Sequence, residues 1–234
     1  MVGNLLFVSI KGLIPVAGIG KRMAPLTNEV PKELLPYGDS LKPMLWHILN
    51  ELKQSGVKEV GLVLRKGKES VREFVEREFG GKFLLRFLYQ EAATGLVDAL
   101  LSAKRFLKGE DFLLVFPDQL LKGKIPATKQ LLSKSKRGVA CSSIVRVPKE
   151  EKRYFPGTLE VKREWRTFGR GIIPFEIFKE LSSYEGGDSA SYRKAFLTMT
   201  KRIPHHLVPL EGEPRDLGTL KGYEYYFFRD SFST

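Results

Sequence analysis

Three cations, Lys21, Arg22 and Lys32, fall within twelve residues, and the first two follow a glycine turn, Gly18-Ile19-Gly20. Glycine lets a backbone approach a bulky anion, because no Cβ blocks φ > 0 or close contact. Exposed N–H groups and cations at the end of a strand form a cradle for phosphate oxygens. Ala17, Gly18, Gly20, Lys21, Arg22 and Lys32 are therefore candidate contacts for a phosphate-bearing ligand. Two familiar phosphate loops do not fit. A Walker loop places four residues between its first glycine and Gly-Lys-Ser/Thr, whereas one residue separates Gly18 from Gly20. A dinucleotide fingerprint needs a third small residue where Met23 stands.

A second candidate centre lies at Asp118, just past the most apolar short run of the chain, Phe112 to Phe116. Ligands of open parallel sheets bind beyond the carboxyl ends of strands, so an acidic residue there is a candidate metal ligand. The alternative is a turn residue after a strand. Gln90 stands at another strand end and offers one acceptor and two donors, which suits the polar edge of a ligand or a polar strand cap. One cysteine, Cys141, excludes an intramolecular disulfide, and three scattered histidines leave no Cys/His zinc pattern.

The stretch from Gly12 to Pro36, GLIPVAGIGKRMAPLTNEVPKELLP, resembles the signature of the sugar-phosphate nucleotidylyltransferases. Gly18, Gly20, Arg22, Pro25-Leu26-Thr27, Pro31-Lys32-Glu33 and Leu35-Pro36 match it in order and spacing; Lys21 stands where the family often has Thr. The resemblance implies a Rossmann-like α/β fold and the joining of a nucleoside triphosphate to a sugar 1-phosphate with release of pyrophosphate. It further implies that Arg22 and Lys32 handle the phosphates, that Gln90 and Gly95 hold the base, and that Asp118 and Asp216 hold Mg²⁺. Asp216 belongs to Asp216-Leu217-Gly218-Thr219, similar to the family's late Asp-x-Gly-Thr, and helix capping is its alternative role. Pro117 replaces the glycine that relatives carry before the first aspartate. The Pro-Lys-Glu form leans toward UTP or dTTP. On the sugar side, Gly169-Arg170 resembles a family segment that precedes a helix, and Lys162 can be laid on the phosphate-contacting lysine. There Val161 and Arg163 depart from the family's Glu and Pro, and the interval from Tyr154 to Gly169 is much shorter than the pattern implies. A cytidylyltransferase acting on a phosphorylated alcohol and a non-catalytic nucleotide-binding regulator therefore stay open.

These groups need elements to position them. Leu13 to Val16 reads as a buried strand, Pro43 to Ser55 as an amphipathic helix with Pro in its first turn, and Glu59 to Leu64 as a strand. Glu69 to Phe79 follows as a charged helix, Phe83 to Tyr89 as a strand, then a helix ending near Leu107 and the strand Phe112 to Phe116. This alternation implies right-handed crossovers and a mainly parallel sheet flanked by helices. From Gly138 the pattern becomes strand-rich, with strands at 139–147, 158–161 and 168–173, a helix at 174–183, a further helix ending at Met199 and a short strand at 207–210. Trp46 and His47 read as helix packing, His205 and His206 as a loop pair, and Tyr225 to Phe228 as the packing of a last helix.

The 234 residues suit one domain, 1–234, with a nucleotide-binding part over about 1–150 and a strand-rich lobe over about 151–234 on the sugar-phosphate side. The net charge is +12, yet the basic residues are dispersed and no nucleic-acid motif appears, so a basic surface around a phosphate site is the reading. No run approaches membrane-helix length, and the first ten residues lack a basic start and a small-residue cleavage site. The expectation is a cytoplasmic protein without nucleic-acid or membrane partners; a homo-oligomer is compatible with the sequence.

Overall fold

A computed structural model describes residues 10–91 and 95–231. Along the first half the chain runs through β1 (Lys11–Pro15), a hairpin of β2 (Pro36–Tyr37) and β3 (Lys42–Pro43), α1 (Met44–Gln54), β4 (Glu59–Leu64), α2 (Glu69–Phe79), β5 (Leu84–Tyr89), α3 (Leu96–Ser102), α4 (Lys104–Leu107) and β6 (Phe112–Val115). The second half holds β7 (Gln119–Lys122), α5 (Ala127–Lys134), β8 (Ala140–Arg146), β9 (Glu160–Lys162), β10 (Trp165–Ile173), α6 (Ile177–Leu181), α7 (Ser189–Met199), β11 (His205–Pro209), β12 (Glu213–Asp216) and α8 (Leu220–Ser231).

The central sheet has the order β11-β8-β10-β6-β1-β4-β5, with β9 paired to β10. β1 is parallel to both β4 and β6, β4 to β5, and β8 to β11, while β10 runs antiparallel to its neighbours β6 and β8. The expected mainly parallel sheet is present, and the strand-rich part of the chain continues it. Apolar side chains alternate between its faces, as a two-faced buried sheet requires. Ile14, Leu62, Leu113 and Val115 pack with α1, α2, α5 and α8 on one side; Leu13, Val63, Phe112 and Leu114 pack with α3, α4, α6 and α7 on the other.

The strand order fixes where a ligand can sit. After β1 the chain builds outward to β4 and β5, then returns to place β6 on the opposite flank of β1. The loops leaving β1 and β6 diverge at that reversal, opening a crevice beyond the strand ends.

Several elements differ from expectation. The helix before Leu107 divides at Ala103 into α3 and α4. His205 and His206 begin β11 and are no loop pair; the His205 ring bonds the Ser142 hydroxyl at 3.0 Å and meets Phe196 edge-on. The two-stranded ladder of β7 with β12, and helix α5, were not anticipated at all. His47 packs against Trp46, as expected, while bonding the Tyr37 carbonyl at 3.0 Å, and Cys141 is a buried residue of β8. Among the described residues no helix is long and apolar enough to cross a membrane.

Candidate active site

The crevice at the β1/β6 reversal is a cleft of about 470 Å³ whose lining includes Ala17, Gly18, Gly20, Lys21, Arg22, Lys32, Gln90, Gly95, Asp118 and Gly218. The loop after β1 is held open by local geometry. Gly20 takes φ +84°, and Thr27 Oγ1 donates to its carbonyl at 3.0 Å, so the far end of the loop latches the glycine turn. A Cβ on Gly18 would meet nothing within 4 Å, leaving that backbone bare toward the cleft. Lys21 and Arg22 follow on the exposed side of a 3₁₀ turn, while Met23 anchors the turn in the core.

Lys32 rises from a second 3₁₀ turn, Lys32–Leu34, and its Nζ lies 2.6 Å from Asp118 Oδ2. Burial opposes charge on both groups. The pairing prevails: Lys32 is raised above its ordinary value by Asp118 and Glu33, and Asp118 is held below the usual carboxylate range by Lys32. Asp216 behaves oppositely. Burial, and then the charge of Asp118, push its carboxyl up to about 6, against hydrogen bonds from the Gly218 N–H at 3.0 Å and the Gln119 amide at 2.9 Å. The ladder of β7 with β12 brings the two acids together, since Gln119, the residue after Asp118, is paired in register with Asp216. A further bond, from the Leu217 N–H to the Asp118 carbonyl at 2.8 Å, closes the turn.

The point a Cβ on Gly218 would occupy is 2.8 Å from Asp118 Oδ2, 3.1 Å from Asp216 Oδ1 and 3.3 Å from Arg22 Nη2. The two carboxylate oxygens are therefore within about 5.9 Å of each other, with the guanidinium beside them. This spacing and the all-oxygen donor set fit one hard cation such as Mg²⁺, which takes one or two carboxylates and fills its remaining positions with water and phosphate oxygens. Among the described residues no third acidic, His or Cys side chain joins the pair.

At the other end of the cleft, Gln90 is buried and donates from Nε2 to the Gly95 carbonyl at 3.2 Å. Gly95 takes φ +128°, and a Cβ there would lie 2.3 Å from the Gly187 carbonyl, so only glycine allows the 186–188 turn to close against the start of α3.

A family model described as nucleotidyl transferase matches residues 11–165, about two thirds of the chain. The chain belongs to the nucleotidyl transferase family. A UTP–glucose-1-phosphate uridylyltransferase of Streptococcus pyogenes serotype M3 is 31% identical over 262 aligned positions, covering 91% of this chain and 87% of that one. A second, from Staphylococcus haemolyticus, is 26% identical over 91% of this chain and 89% of its own length. In fold, a UDP-glucose pyrophosphorylase complexed with UDP-glucose superposes with a TM-score of 0.78 at 22% identity, covering 94% and 97% of the two chains. A UDP-glucose pyrophosphorylase from Acinetobacter baumannii gives 0.76 at 18% identity, covering 94% and 92%. These likenesses make this nucleotidyl transferase an enzyme of the sugar-1-phosphate class.

Three expected residues of this nucleotidyl transferase lie outside the cleft lining: Lys162, Gly169 and Asp216, the last of which reaches the site beside Gly218. Lys162 is exposed on the short outer strand β9, opposite Trp165 of β10. Gly169 is buried in β10, where a Cβ would press on Gln119 and Phe116 at 3.0–3.2 Å; it gives Gln119 room to reach Asp216. Arg170, its neighbour, is consumed by structure: its guanidinium makes two 2.9 Å bonds to the Glu51 carboxylate. Sequence reasoning passed over Gln119, Gly157 and Ser189. Ser189 lines the cleft, and a Cβ on Gly157 would lie 3.6 Å from Arg22 Nη1. Gly218 was legible only as part of the Asp-x-Gly-Thr string.

Proposed function

We propose that this enzyme joins UTP or dTTP to a sugar 1-phosphate, giving a nucleoside-diphosphate sugar and pyrophosphate. The observation that carries the reading is the convergence of Arg22, Lys32, Asp118 and Asp216 on one end of a cleft whose other end holds the buried Gln90. Uridylyltransferases among the relatives support the choice of base. Ala17, Gly18, Gly20 and Lys21 would receive the triphosphate, and the Gln90 amide would face the base edge beside Gly95. Residues of about 1–150 would then serve the nucleotide, and 151–234 the sugar phosphate and the second aspartate. Lys162 is the proposed phosphate contact on the sugar side, with Gly169 supporting the site from behind. The dispersed basic residues and the small-molecule cleft support a cytoplasmic enzyme with no nucleic-acid or membrane partner.

A phosphate oxygen of the sugar phosphate attacks the α-phosphorus in line; the bond to the bridging oxygen breaks and pyrophosphate departs with its electron pair. No side-chain nucleophile is needed, so the protein's task is positioning and charge stabilisation. Arg22 stabilises charge on the transferring phosphoryl group, and Lys32 turns from Asp118 toward the arriving phosphates. Asp118 and Asp216 would hold Mg²⁺, which when bound supplies charge neutralisation for the triphosphate and the leaving group. Without a cation two close buried carboxylates repel, which adds to burial in raising Asp216.

The test is a panel of five nucleoside triphosphates against sugar 1-phosphates and phosphorylated alcohols, with Mg²⁺, read by pyrophosphate release. Turnover with UTP or dTTP and a sugar 1-phosphate is expected. Turnover with CTP and a phosphorylated alcohol, which the short 154–169 interval would accommodate, or nucleotide binding without pyrophosphate, overturns the reading.

A further inference from the structure

Behind the cleft, and not lining it, Lys68 and Glu33 form the most deeply buried ion pair in the site's neighbourhood: Nζ and Oε2 are 2.5 Å apart and the side chains are 3% and 0% exposed. Burying such a pair takes two charges out of water and is seldom the most stable way to fill a core. Here the cost is not fully offset, because Glu33 Oε1 finds no hydrogen-bond partner among the described residues. Packing alone does not account for a pair in that condition.

Its position does. Glu33 follows Lys32 in the single turn Lys32–Leu34, so the two side chains leave one rigid turn, Lys32 toward Asp118 and Glu33 toward Lys68. Lys68 is the residue that caps the start of α2, and its carbonyl accepts from the Val71 N–H at 3.1 Å, which fixes it to the body of the sheet and helix layer. Lys32 thus has two carboxylates within electrical reach, Asp118 in the cleft and Glu33 behind it. Lys68 occupies the second.

We propose that Lys68 is a positioning residue for Lys32: by neutralising Glu33 and pinning the 32–34 turn, it keeps the Lys32 ammonium beside Asp118 on the cleft side, where the reacting phosphates arrive. This rests on the reading of Lys32 as a phosphate contact. With the Lys68 charge removed, Glu33 turns to its neighbour Lys32 for a counter-charge and draws it back from the cleft.

The experiment compares Lys68→Met, Glu33→Gln/Lys68→Met and Lys32→Ala with wild type, at a temperature where circular dichroism shows each folded. UTP and dTTP are the nucleotides, pyrophosphate release is the rate, and calorimetry gives nucleotide affinity. Lys68→Met should lower kcat about tenfold or more, in line with the effect of a misplaced reacting group, while changing nucleotide Kd by less than about threefold. Removing the Glu33 charge in the same chain should restore kcat to within about threefold of wild type, a rescue that loss of packing would not produce. Lys68→Gln keeps a donor toward Glu33 and replaces Lys68→Met if the latter does not fold. Wild-type kcat in a folded Lys68→Met protein, or in Lys68→Gln where that replaces it, overturns the proposal. So does a double variant that melts like wild type yet stays slow. Lys32→Ala with full turnover would instead remove the phosphate role of Lys32 itself, and is distinguishable because it leaves the Lys68 pair intact.

Discussion

Replacing Gly218 by Ala adds one methyl group at the most crowded point of the site. The new Cβ would stand 2.8 Å from Asp118 Oδ2, 3.1 Å from Asp216 Oδ1 and 3.3 Å from Arg22 Nη2. The first of these contacts is closer than carbon and oxygen tolerate, so the Asp118 carboxylate must retreat by a few tenths of an ångström. It cannot do so freely, since the same oxygen is bonded to Lys32 at 2.6 Å. Overpacking of this kind costs about 1–3 kcal/mol of stability, while the stiffer unfolded chain of the alanine variant returns about 0.4–1 kcal/mol. The melting temperature should therefore fall only modestly. Activity should fall further: a 1 Å misplacement in an active site costs about 10²-fold, so the smaller shift here should lower kcat by about 10- to 100-fold. The Mg²⁺ concentration for half-maximal rate should rise as the carboxylates part. Pyrophosphate release across a Mg²⁺ titration, set beside thermal melts, measures all three. Gly18→Ala is the control for stability, because a Cβ there meets nothing within 4 Å. Wild-type kcat and Mg²⁺ activation in a folded Gly218→Ala protein would refute the idea that this glycine sets the carboxylate pair.

Arg22→Ala should lower kcat by about two orders of magnitude with an unchanged melt, since an exposed loop cation supports transition-state charge and not the core; equal turnover in a steady-state assay would count against it. Gln90→Ala should reduce discrimination between pyrimidine and purine triphosphates by about tenfold or more, read from the ratio of kcat/KM values. Glu51→Gln should destabilise the protein by about 3–5 kcal/mol near neutral pH, because it leaves the fully buried Arg170 without its carboxylate. Burial opposes Glu51 ionisation, but Arg170 and Thr128 hold its carboxyl below the ordinary 4.5, so its contribution is complete above that pH and is lost as pH falls through the depressed value. Denaturant melts of wild type and variant should accordingly stay apart by a constant margin above pH 4.5 and draw together as pH falls through the depressed value.

What could be read in advance follows the range of the interactions. The β1 run, the glycine turn and the cations after it are local, and so is the apolar β6 run before Asp118; composition and spacing within a few residues reveal them. α1 and α2 announced themselves through one apolar face each. β7 and β12 did not, for opposite reasons. Gln119–Lys122 follows Asp118 with no turn signal, and Glu213–Asp216 carries a proline and three charges, which read as loop; a two-stranded ladder asks each strand for ladder hydrogen bonds along one edge only, and so tolerates the proline. The pairs that tune the site join residues far apart in the chain: Lys68 and Glu33 are 35 positions apart, Gln119 and Asp216 are 97, and Arg170 and Glu51 are 119. No window of sequence contains them. The Lys162 region shows the converse, a local pattern that the fold carries to an exposed outer strand.

The ladder of β7 with β12 also acts as a vernier for the acid pair. Side chains along a strand alternate in direction with a period of two, so slipping the pairing of Gln119 with Asp216 by one residue would turn Asp216 to the opposite face. The spacing of the two carboxylates is thus held by four paired positions and is indifferent to how much chain lies between them. An insertion or deletion of one residue inside Gln119–Lys122 or Glu213–Asp216 would dismantle the centre. Lengthening or shortening a loop between those strands, outside the sheet strands themselves, leaves the centre in calibration. A protein built this way can remodel the walls that meet its second substrate while the metal-facing pair keeps its gauge.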